Sequence, residues 1–598
     1  MFRFSPRPNR AAEIAWQPFG AEAFDMARRL GRPVLLSIGA SWCHWCHVMD
    51  ETAYSADAVL GLLARRYVAV RVDRDLRPDV DRAYNRGGWP TTCILNAAGA
   101  VLWGATYVPP EALVRVLEAV ADRYAADPEL AEAVAPAPIP GAVAPAPREG
   151  AGALSALVDR VLMAAAAEED RAHGGFGREG AKFPLPDVLA FLSSLAPWPG
   201  ERGRAAGAML ARALDGMLRG DLEDGVEGGF YRYATRPDWT LPHYEKMLAD
   251  NAALAEVYLL QAARAARPRW REAGEGALGF LKRRLWLDGE GAYAGSQDAD
   301  EAYARAGERE RSALAPPSVD RAVYLDGNAA AVECHLAAWA ALGQEAWRDG
   351  ATSLWDGLVR RLYRPGRGFA HADTGTGPEL FGESDDLAAA LCALAALVPL
   401  GREADAALAR ALVDRLLGYH LDGAGRVTAA AVDRPEGDLP PAMRGRGRAP
   451  APGASGRAAL ALLRLGRQLG EGEWEEAARR ILLAWAAAAP SLGVFGAALG
   501  RAAAEARPPL EVRVAVGAAF GSGPPASAFW AAVRRMGAEP AVLRTVGPEE
   551  AAAEGWSAPE TCALACLEGV CGPPAATPAA LGETARTLVA RAAPDAVW

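Results

Sequence analysis

Hydrophobic and polar positions divide the chain into three stretches. From about residue 16 to 125, short apolar runs alternate with stretches of helical period. Residues 21–30 predict a helix, 33–38 and 67–72 predict buried strands, and 43–64 predicts one long helical region between them. Residues 91–95 and 101–103 predict two further strands around the Ala98-Gly99 turn, and 111–124 a closing helix. This is an α/β pattern. Residues 133–152 are rich in Pro, Ala and Gly without period, which predicts a linker.

From about 153 to 500 the pattern is helix after helix. Between the helices a Gly-rich turn with an aromatic or small residue recurs: Gly174-Gly175-Phe176, Gly228-Gly229-Phe230, Gly291-Ala292-Tyr293, Gly366-Arg367-Gly368-Phe369 and, more weakly, Gly423-Ala424-Gly425. The spacing is that of a helical hairpin plus a loop. Five such loops and a final unmarked hairpin over 456–488 give six pairs, the number in an (α/α)6 barrel. Alternate loops of such an array share one face, so the Gly-aromatic loops should collect at one mouth. Residues 509–598 return to α/β, with strands expected over 510–516, 541–546 and 561–566 and helices over 525–536 and 578–592. The predicted protein is therefore multidomain: an α/β domain over 1–132, the linker, the barrel over 153–500 and a small α/β appendage.

Composition narrows the function classes. Of the 598 residues, 51% are hydrophobic and 23% charged, which suits globular domains. A net charge of −10 argues against general nucleic-acid or anionic-membrane binding. The uncharged stretches 87–110 and 481–500 are interrupted by Gly, Pro and polar residues, so neither predicts a membrane span. Residues 1–20 lack the apolar core of a signal peptide. Eight cysteines in so long a chain make no disulfide scaffold, and the expected setting is the cytoplasm, with reduced thiols.

One motif carries chemistry plainly. Ser41-Trp42-Cys43-His44-Trp45-Cys46-His47 follows a predicted buried strand and opens a helix. Unpaired N–H groups and a positive dipole at a helix N-terminus favour a thiolate. Cys43 is expected to be the exposed thiol and Cys46 the resolving thiol one turn inside. Downstream, Gly88-Trp89-Pro90-Thr91 predicts an X-Pro turn, cis, that brings backbone against the dithiol. Trp45, Trp89 and Pro90 are then the substrate-contacting residues. Two other readings stay open: a purely structural pair, or a metal site, although Cys43, His44, Cys46 and His47 point to different helix faces and do not readily ligate one Zn²⁺.

These residues resemble thioredoxin over 33–105. The wording is more specific still. Leu36-Ser37-Ile38-Gly39, Cys43-His44-Trp45-Cys46-His47-Val48-Met49, Val72-Asp73-Arg74, Arg77-Pro78-Asp79-Val80-Asp81 and Gly87-Gly88-Trp89-Pro90 are similar to the spermatogenesis-associated thioredoxin-domain family. So are Lys182-Phe183-Pro184, Pro242-His243-Tyr244-Glu245-Lys246-Met247, Asp250-Asn251-Ala252 and Gln297-Asp298-Ala299-Asp300, and the tail pair Cys566 and Cys571. The resemblance implies a thioredoxin-like domain fused to a barrel of the six-hairpin glycosidase type. Three places depart from it: a short segment between Tyr84 and Gly87, Gly327 where a Trp is usual, and a loosely kept pattern at Asp385-Asp386.

A barrel of that type implies acid–base chemistry on sugars by loop-borne His and carboxylates at its mouth. The candidates are His243, Glu245, Asp298 and Asp300, with Tyr231, Trp239 and Asn251 as substrate-binding residues. The bland readings are helix capping for the acids and loop anchoring for the aromatics. Lone Cys93, Cys334 and Cys392 read as core residues. Cys562, Cys566 and Cys571 lack redox spacing and a nearby His, so a structural or incidental role is expected. The expectation is a thiol–disulfide protein whose barrel gives specificity. The alternatives are a carbohydrate-active hydrolase or epimerase, or a non-catalytic scaffold. Expected partners are a protein thiol or a sugar-like small molecule, without nucleic acid, membrane, metal or organic cofactor.

Overall fold

The computed structural model describes residues 3–127, 130, 152–515, 526–536, 541–553 and 563–591. The linker expected over 133–152 falls outside them save its last residue. The chain forms two compact units. The first comprises Met1–Ala142 with two distant pieces, Gln297–Glu301 and Ala430–Ala449. The second comprises Val143–Ser296, Ala302–Ala429 and Pro450–Trp598.

In the first unit the elements are α1 (Ala21–Leu30), β1 (Val34–Gly39), α2 (His44–Glu51), α3 (Asp57–Arg66), β2 (Val68–Asp73), α4 (Pro78–Tyr84), β3 (Thr91–Leu95), β4 (Val101–Ala105) and α5 (Pro110–Ala126). The sheet order is β2-β1-β3-β4, with β1 parallel to β2 and antiparallel to β3. β1 is central, and Val34, Leu35, Leu36 and Ile38 are fully buried. That is why the run shows no polar alternation. The helix expected over 43–64 is broken at Thr52, whose hydroxyl returns to the Val48 carbonyl (2.6 Å). Tertiary contacts enforce the break. Buried Asp50 takes two hydrogen bonds from Arg71 (2.7 and 2.9 Å), and buried Tyr54 meets Trp16 edge-on.

Ala430–Ala449 belongs to this unit by specific contacts. Arg434 pairs with Asp79 (2.7 Å), Arg446 donates to the Ala83 carbonyl (2.7 Å) and the Ala442 N–H donates to Ala98 O (2.9 Å). Met443 joins the core around Tyr84 and Leu95. The segment therefore lies against α4, next to the stretch that is short between Tyr84 and Gly87.

Between residues 153 and 505 of the second unit, twelve helices of nine or more residues alternate between two layers. Six are the more buried: α7 (Pro186–Leu195), α9 (Leu248–Ala265), α11 (Leu325–Leu342), α13 (Ser384–Leu397), α15 (Pro452–Leu469) and α17 (Ala497–Glu505). Each contacts the next, and α17 contacts α7, so they close a ring. The other six form an outer layer: α6 (Ala153–Glu168), α8 (Glu201–Arg219), α10 (Pro268–Phe280), α12 (Glu345–Leu362), α14 (Glu403–Tyr419) and α16 (Gly472–Ala486). This is the expected (α/α)6 barrel. It closes through α17, so its last inner helix runs past residue 500.

Connections from inner to outer helices are short; those from outer to inner helices are long. The long loops therefore gather at the end where the inner helices begin. The Gly-aromatic turns lie in them as small antiparallel hairpins, pairing Glu169 with Phe176, Glu223 with Phe230, Trp286 with Tyr293, Tyr363 with Phe369 and Leu421 with Val427. Glycine is required at two of these turns by both backbone angle and space. Gly174 has φ +79° and Gly228 φ +76°. A Cβ there would stand 2.0 Å from Arg212 O and 2.4 Å from Gly276 O, the backbone of the neighbouring outer helix.

The tail of the unit is α/β, as expected. β5 (Leu510–Ala515) runs parallel to β6 (Ala541–Val546) across α18 (Ala526–Met536) and antiparallel to β7 (Ala563–Leu567). β8 (Val570–Cys571) forms the sheet edge, and α19 (Pro578–Arg591) packs on β7. Among the described residues no helix is long and apolar enough to cross a membrane.

Candidate functional site

Cys43 is the N-cap of α2, and its Sγ accepts the Cys46 N–H (3.2 Å). Cys43 and Cys46 are joined as a disulfide. The sulfur of Cys43 thus sits where the helix offers its unpaired N–H groups, as the motif predicted. Exposure differs from expectation. Cys43 is 5% and Cys46 4% accessible, so both are buried rather than the first alone being open. Gly39, at the end of β1, makes room for the inner sulfur; a Cβ there would lie 3.2 Å from Cys46 Sγ.

Aromatic and charged groups surround the pair. Trp42 is buried, meets Trp89 edge-on and donates through Nε1 to Asp75 (2.5 Å). Trp89 donates to Asp81 (2.9 Å), and the Arg74 guanidinium lies 4.8 Å from the centre of its ring. The Trp89–Pro90 peptide is cis, as the turn predicted. Trp45 is 46% exposed beside Tyr107 and is the large apolar surface next to the dithiol. His47 is turned away from the sulfurs in its hydrogen bonding, since its Nε2 donates to Ser41 O (3.0 Å).

The residues predicted for the barrel mouth separate into groups. His243 and Glu245 do come together, with His243 Nδ1 3.8 Å from Glu245 Oε1. Glu245 is buried, and its Oε2 has no hydrogen-bond partner among the described residues. His243 stacks on Tyr233, which stacks on half-exposed Phe183. Asp298 and Asp300 belong instead to the first compact unit. Asp298 is buried and accepts the Ala299 N–H (2.7 Å), whereas Asp300 is exposed.

Tyr231, Trp239 and Asn251 are loop anchors rather than surface contacts. Trp239 is 1% exposed and donates to Gly174 O (3.0 Å). Buried Tyr231 sits beneath Lys246 and meets Tyr244 edge-on. Asn251, at the start of α9, is fully buried. It accepts the Phe230 N–H (2.6 Å) and donates to the Phe230 carbonyl (3.0 Å). Asn328, at the start of α11, clamps Tyr293 in the same way. Asn251→Ala therefore leaves both polar groups of Phe230 orphaned in the core. It is expected to lower stability by about 2–4 kcal/mol, read as an earlier midpoint in urea unfolding.

The inner ring encloses a cavity of about 420 Å³. Its wall holds Asp187, Asp250, Asp326 and Asp385, each in the first turn of an inner helix, so they converge on the mouth. Arg457 binds Asp385 (2.6 Å) and approaches Asp187 (3.6 Å). Deeper lies Glu333, whose carboxyl is pushed up to about 7 by burial and by neighbouring Glu256. Phe495, 76% exposed, also contributes to the wall. Behind Asp385, buried Asp386 receives His371 Nδ1–H (2.9 Å), and burial holds Asp386 at about 6 against the pull of that His. Gly327 is closely packed, as a Cβ there would stand 3.1 Å from Leu248 Cδ2.

Sequence reasoning missed the cavity acids because each resembles an ordinary N-terminal helix charge. The repeated signal was an Asp in the first turn of successive inner helices. Among the described residues no group of three or more His, Cys, Asp or Glu is placed to hold a metal ion.

Residues 7–137 match the family described as "Thioredox_DsbH: Protein of unknown function, DUF255". Spermatogenesis-associated protein 20 of Homo sapiens is 33% identical over 310 residues, spanning 48% of this chain and 39% of that protein. An uncharacterized protein of Caenorhabditis elegans is 33% identical over 261 residues, spanning 41% and 36%. The chain thus matches well under two thirds of the length of these relatives. The similarity to the spermatogenesis-associated proteins is the one its motifs carry. Among solved structures, a sugar epimerase from a ruminal bacterium is similar at 13% identity and a TM-score of 0.43, covering 55% of this chain and 85% of that one. A cellobiose 2-epimerase from Spirochaeta thermophila DSM 6192 is similar at 16% and 0.44, covering 55% and 82%.

Proposed function

We propose that the protein is a thiol–disulfide exchange protein. Its working pair is Cys43 and Cys46, and the helical unit binds the substrate or partner. The observation that carries this reading is the Cys43–Cys46 disulfide placed at the N-cap of α2, where the Cys43 sulfur already accepts a backbone N–H. A thiolate released there keeps that hydrogen bond and the helix dipole, which favour it as nucleophile and as leaving group. Trp45 offers an exposed apolar docking surface beside it, and the cis Trp89–Pro90 turn presents backbone for an extended peptide. The reductant would be a cellular thiol, and the site of action the cytoplasm.

The test is equilibration of the whole protein with glutathione buffers, followed by alkylation and mass spectrometry of the Cys43–Cys46 peptide. A reversible transition between about −120 and −270 mV, the span of thiol oxidoreductases, is the expected result. Thiols that stay closed or unreactive across that range overturn the reading.

A second reading is favoured by the cavity. Convergent Asp187, Asp250, Asp326 and Asp385, with Glu333 below and Phe495 in the wall, suit a polyhydroxylated ligand held by carboxylates and an aromatic face. Close by in sequence to Asp250, the His243–Glu245 contact supplies an acid–base pair. In that reading the protein acts on a sugar, as hydrolase or epimerase, and Cys43→Ser leaves turnover intact.

A further inference from the structure

Two tryptophans flank the dithiol: Trp42 precedes Cys43, and Trp89 precedes the cis peptide to Pro90. Thr91 pairs with Ile38 across β1 and β3, which brings Pro90 level with Gly39, the glycine that makes room for Cys46 Sγ. Trp89 follows Gly87 and Gly88, and Gly87 has φ +95°. Glycines impose little orientation on the residue after them, so tertiary contacts must place this indole.

Those contacts converge on Arg74. Its backbone N–H donates to Gly39 O (2.8 Å). Its Nη1 donates to Asp75 Oδ1 (2.7 Å), and the other oxygen of Asp75 accepts Trp42 Nε1 (2.5 Å). Its Nε faces Asp81 Oδ2 at 3.6 Å, while Asp81 Oδ1 accepts Trp89 Nε1 and Asn85 Nδ2, each at 2.9 Å. The guanidinium also lies over the Trp89 ring. Asn85 Oδ1 accepts the N–H groups of Gly87 (2.7 Å) and Gly88 (3.1 Å), so Asp81 steadies both the indole and the backbone of the turn. Asp81 is 7% exposed, and a carboxylate so enclosed needs a cation beside it; Arg74 supplies one.

We propose that Arg74 is a positioning residue for peptide substrates, fixing Trp42, Trp89 and the cis Trp89–Pro90 turn as one wall beside Cys43–Cys46. This rests on the thiol-exchange reading above. Arg74 acts through the two indoles rather than on sulfur. In the exchange, the Cys43 thiolate attacks one sulfur of a disulfide-linked peptide dimer. The Cys43–peptide bond forms, the peptide disulfide breaks, and the first peptide leaves as thiolate. The Cys46 thiolate then attacks Cys43 Sγ, re-forms Cys43–Cys46 and releases the second peptide as thiolate. Two electrons pass from the dithiol to the peptide disulfide, and the departing thiolates take up the protons that Cys43 and Cys46 gave up. An extended peptide lies along the turn while its sulfur reacts. Glutathione has little chain beyond its cysteine and uses less of that wall.

The test mixes the reduced full-length protein with the disulfide dimer of a single-cysteine, alternating Val-Ser peptide or with glutathione disulfide. Re-formation of Cys43–Cys46 is timed by alkylation and mass spectrometry; the tail disulfide, Cys566–Cys571, is read on its own peptide and does not enter. Arg74→Met keeps the reach of the side chain and removes its charge. It is expected to lower the ratio of the peptide rate to the glutathione rate about tenfold. A role confined to holding the fold slows both exchanges alike, so an unchanged ratio overturns the proposal. Arg74→Lys keeps a cation over Trp89 but cannot serve both carboxylates, and it should recover part of the ratio. If Arg74→Met folds poorly by circular dichroism, Asp81→Asn carries the test. Its amide oxygen still accepts the Trp89 indole while the ion pair is gone, and the ratio should fall about threefold; no fall overturns the proposal. If the parent protein exchanges with glutathione disulfide but not with the peptide, the proposal is wrong and the thiol-exchange reading stands. Exchange with neither means that the reading itself has failed first.

Discussion

Replacement of Asp224 by alanine is expected to cost the helical unit about 3–5 kcal/mol, because it strands two cations in the interior. Asp224 is 3% exposed, and Lys246 and Arg311 are 1% and 6% exposed. Lys246 Nζ donates to Asp224 Oδ2 (2.6 Å), and Arg311 Nη1 donates to both carboxylate oxygens (2.9 and 2.7 Å). The N–H groups of Val226 and Glu227 add to these and hold the second Gly-aromatic hairpin in shape. Without the carboxylate, Lys246 keeps Gly228 O, the ring faces of Phe280 and Tyr231 and the more distant charge of Glu227. Urea unfolding followed by circular dichroism checks the loss; a midpoint unchanged from the parent chain would show that the cations find other partners.

The same group sets an acid limit. Burial opposes its ionisation, but Lys246 and Arg311 outweigh burial and hold Asp224 at about 2, below the ordinary 3.8. A carboxyl depressed in the folded state contributes stability above its unfolded pKa and loses it as pH falls through the folded value. Asp170, held down by Lys182, and Asp79, held down by Arg77 and Arg434, also lie at about 2 despite burial. Stability should therefore fall steeply between about pH 4 and pH 2. In Asp224→Ala that slope should be shallower, with about 2 kcal/mol of the pH-dependent part gone.

Cys43→Ser is expected to reduce disulfide exchange with glutathione disulfide to the buffer background, while the fold is kept. A serine hydroxyl can accept the Cys46 N–H in place of sulfur and remains a good N-cap, so the start of α2 is not lost. What disappears is the nucleophile, since a hydroxyl does not form mixed disulfides. The measurement is mass-spectrometric detection of glutathione adducts after a timed quench, with circular dichroism as the control for folding. Cys46→Ser should behave in the opposite manner. It retains the attacking sulfur, and glutathionylated Cys43 accumulates because nothing resolves it. Equal adduct levels in Cys43→Ser and the parent chain would place the reactive sulfur elsewhere.

Much of the architecture is written in local pattern. The run 34–38, apolar except for Ser37, is a strand buried on both faces, and only a central strand needs that. The Gly-aromatic turns announced the number of helical pairs, because a hairpin pressed on a helix backbone tolerates no side chain at Gly174 or Gly228. The Cys43-to-Cys46 spacing announced two thiols within one turn at a helix start, and there they are joined as a disulfide. Each of these is a constraint that a residue and its near neighbours meet together.

Other features were decided only by tertiary structure, and the physical reason is the same for all of them. The sequence shows which groups can donate, accept or carry charge, but not which partner will satisfy them. Asn251 reads as a ligand-binding amide until Phe230 is seen to use both ends of it. Trp239 and Tyr231 read as a sugar platform, but burial makes them anchors. Asp385, Asp326, Asp250 and Asp187 are far apart along the chain and become one cavity wall only when the inner helices close their ring. Ala430–Ala449 lies between two barrel helices in sequence, yet it is fastened to the thioredoxin-like unit by Arg434 and Arg446. Local composition determined the elements and the Cys43–Cys46 pair at the start of α2. Long-range pairing of buried polar groups, which has no local signature, determined which side chains hold the fold and which are left to act.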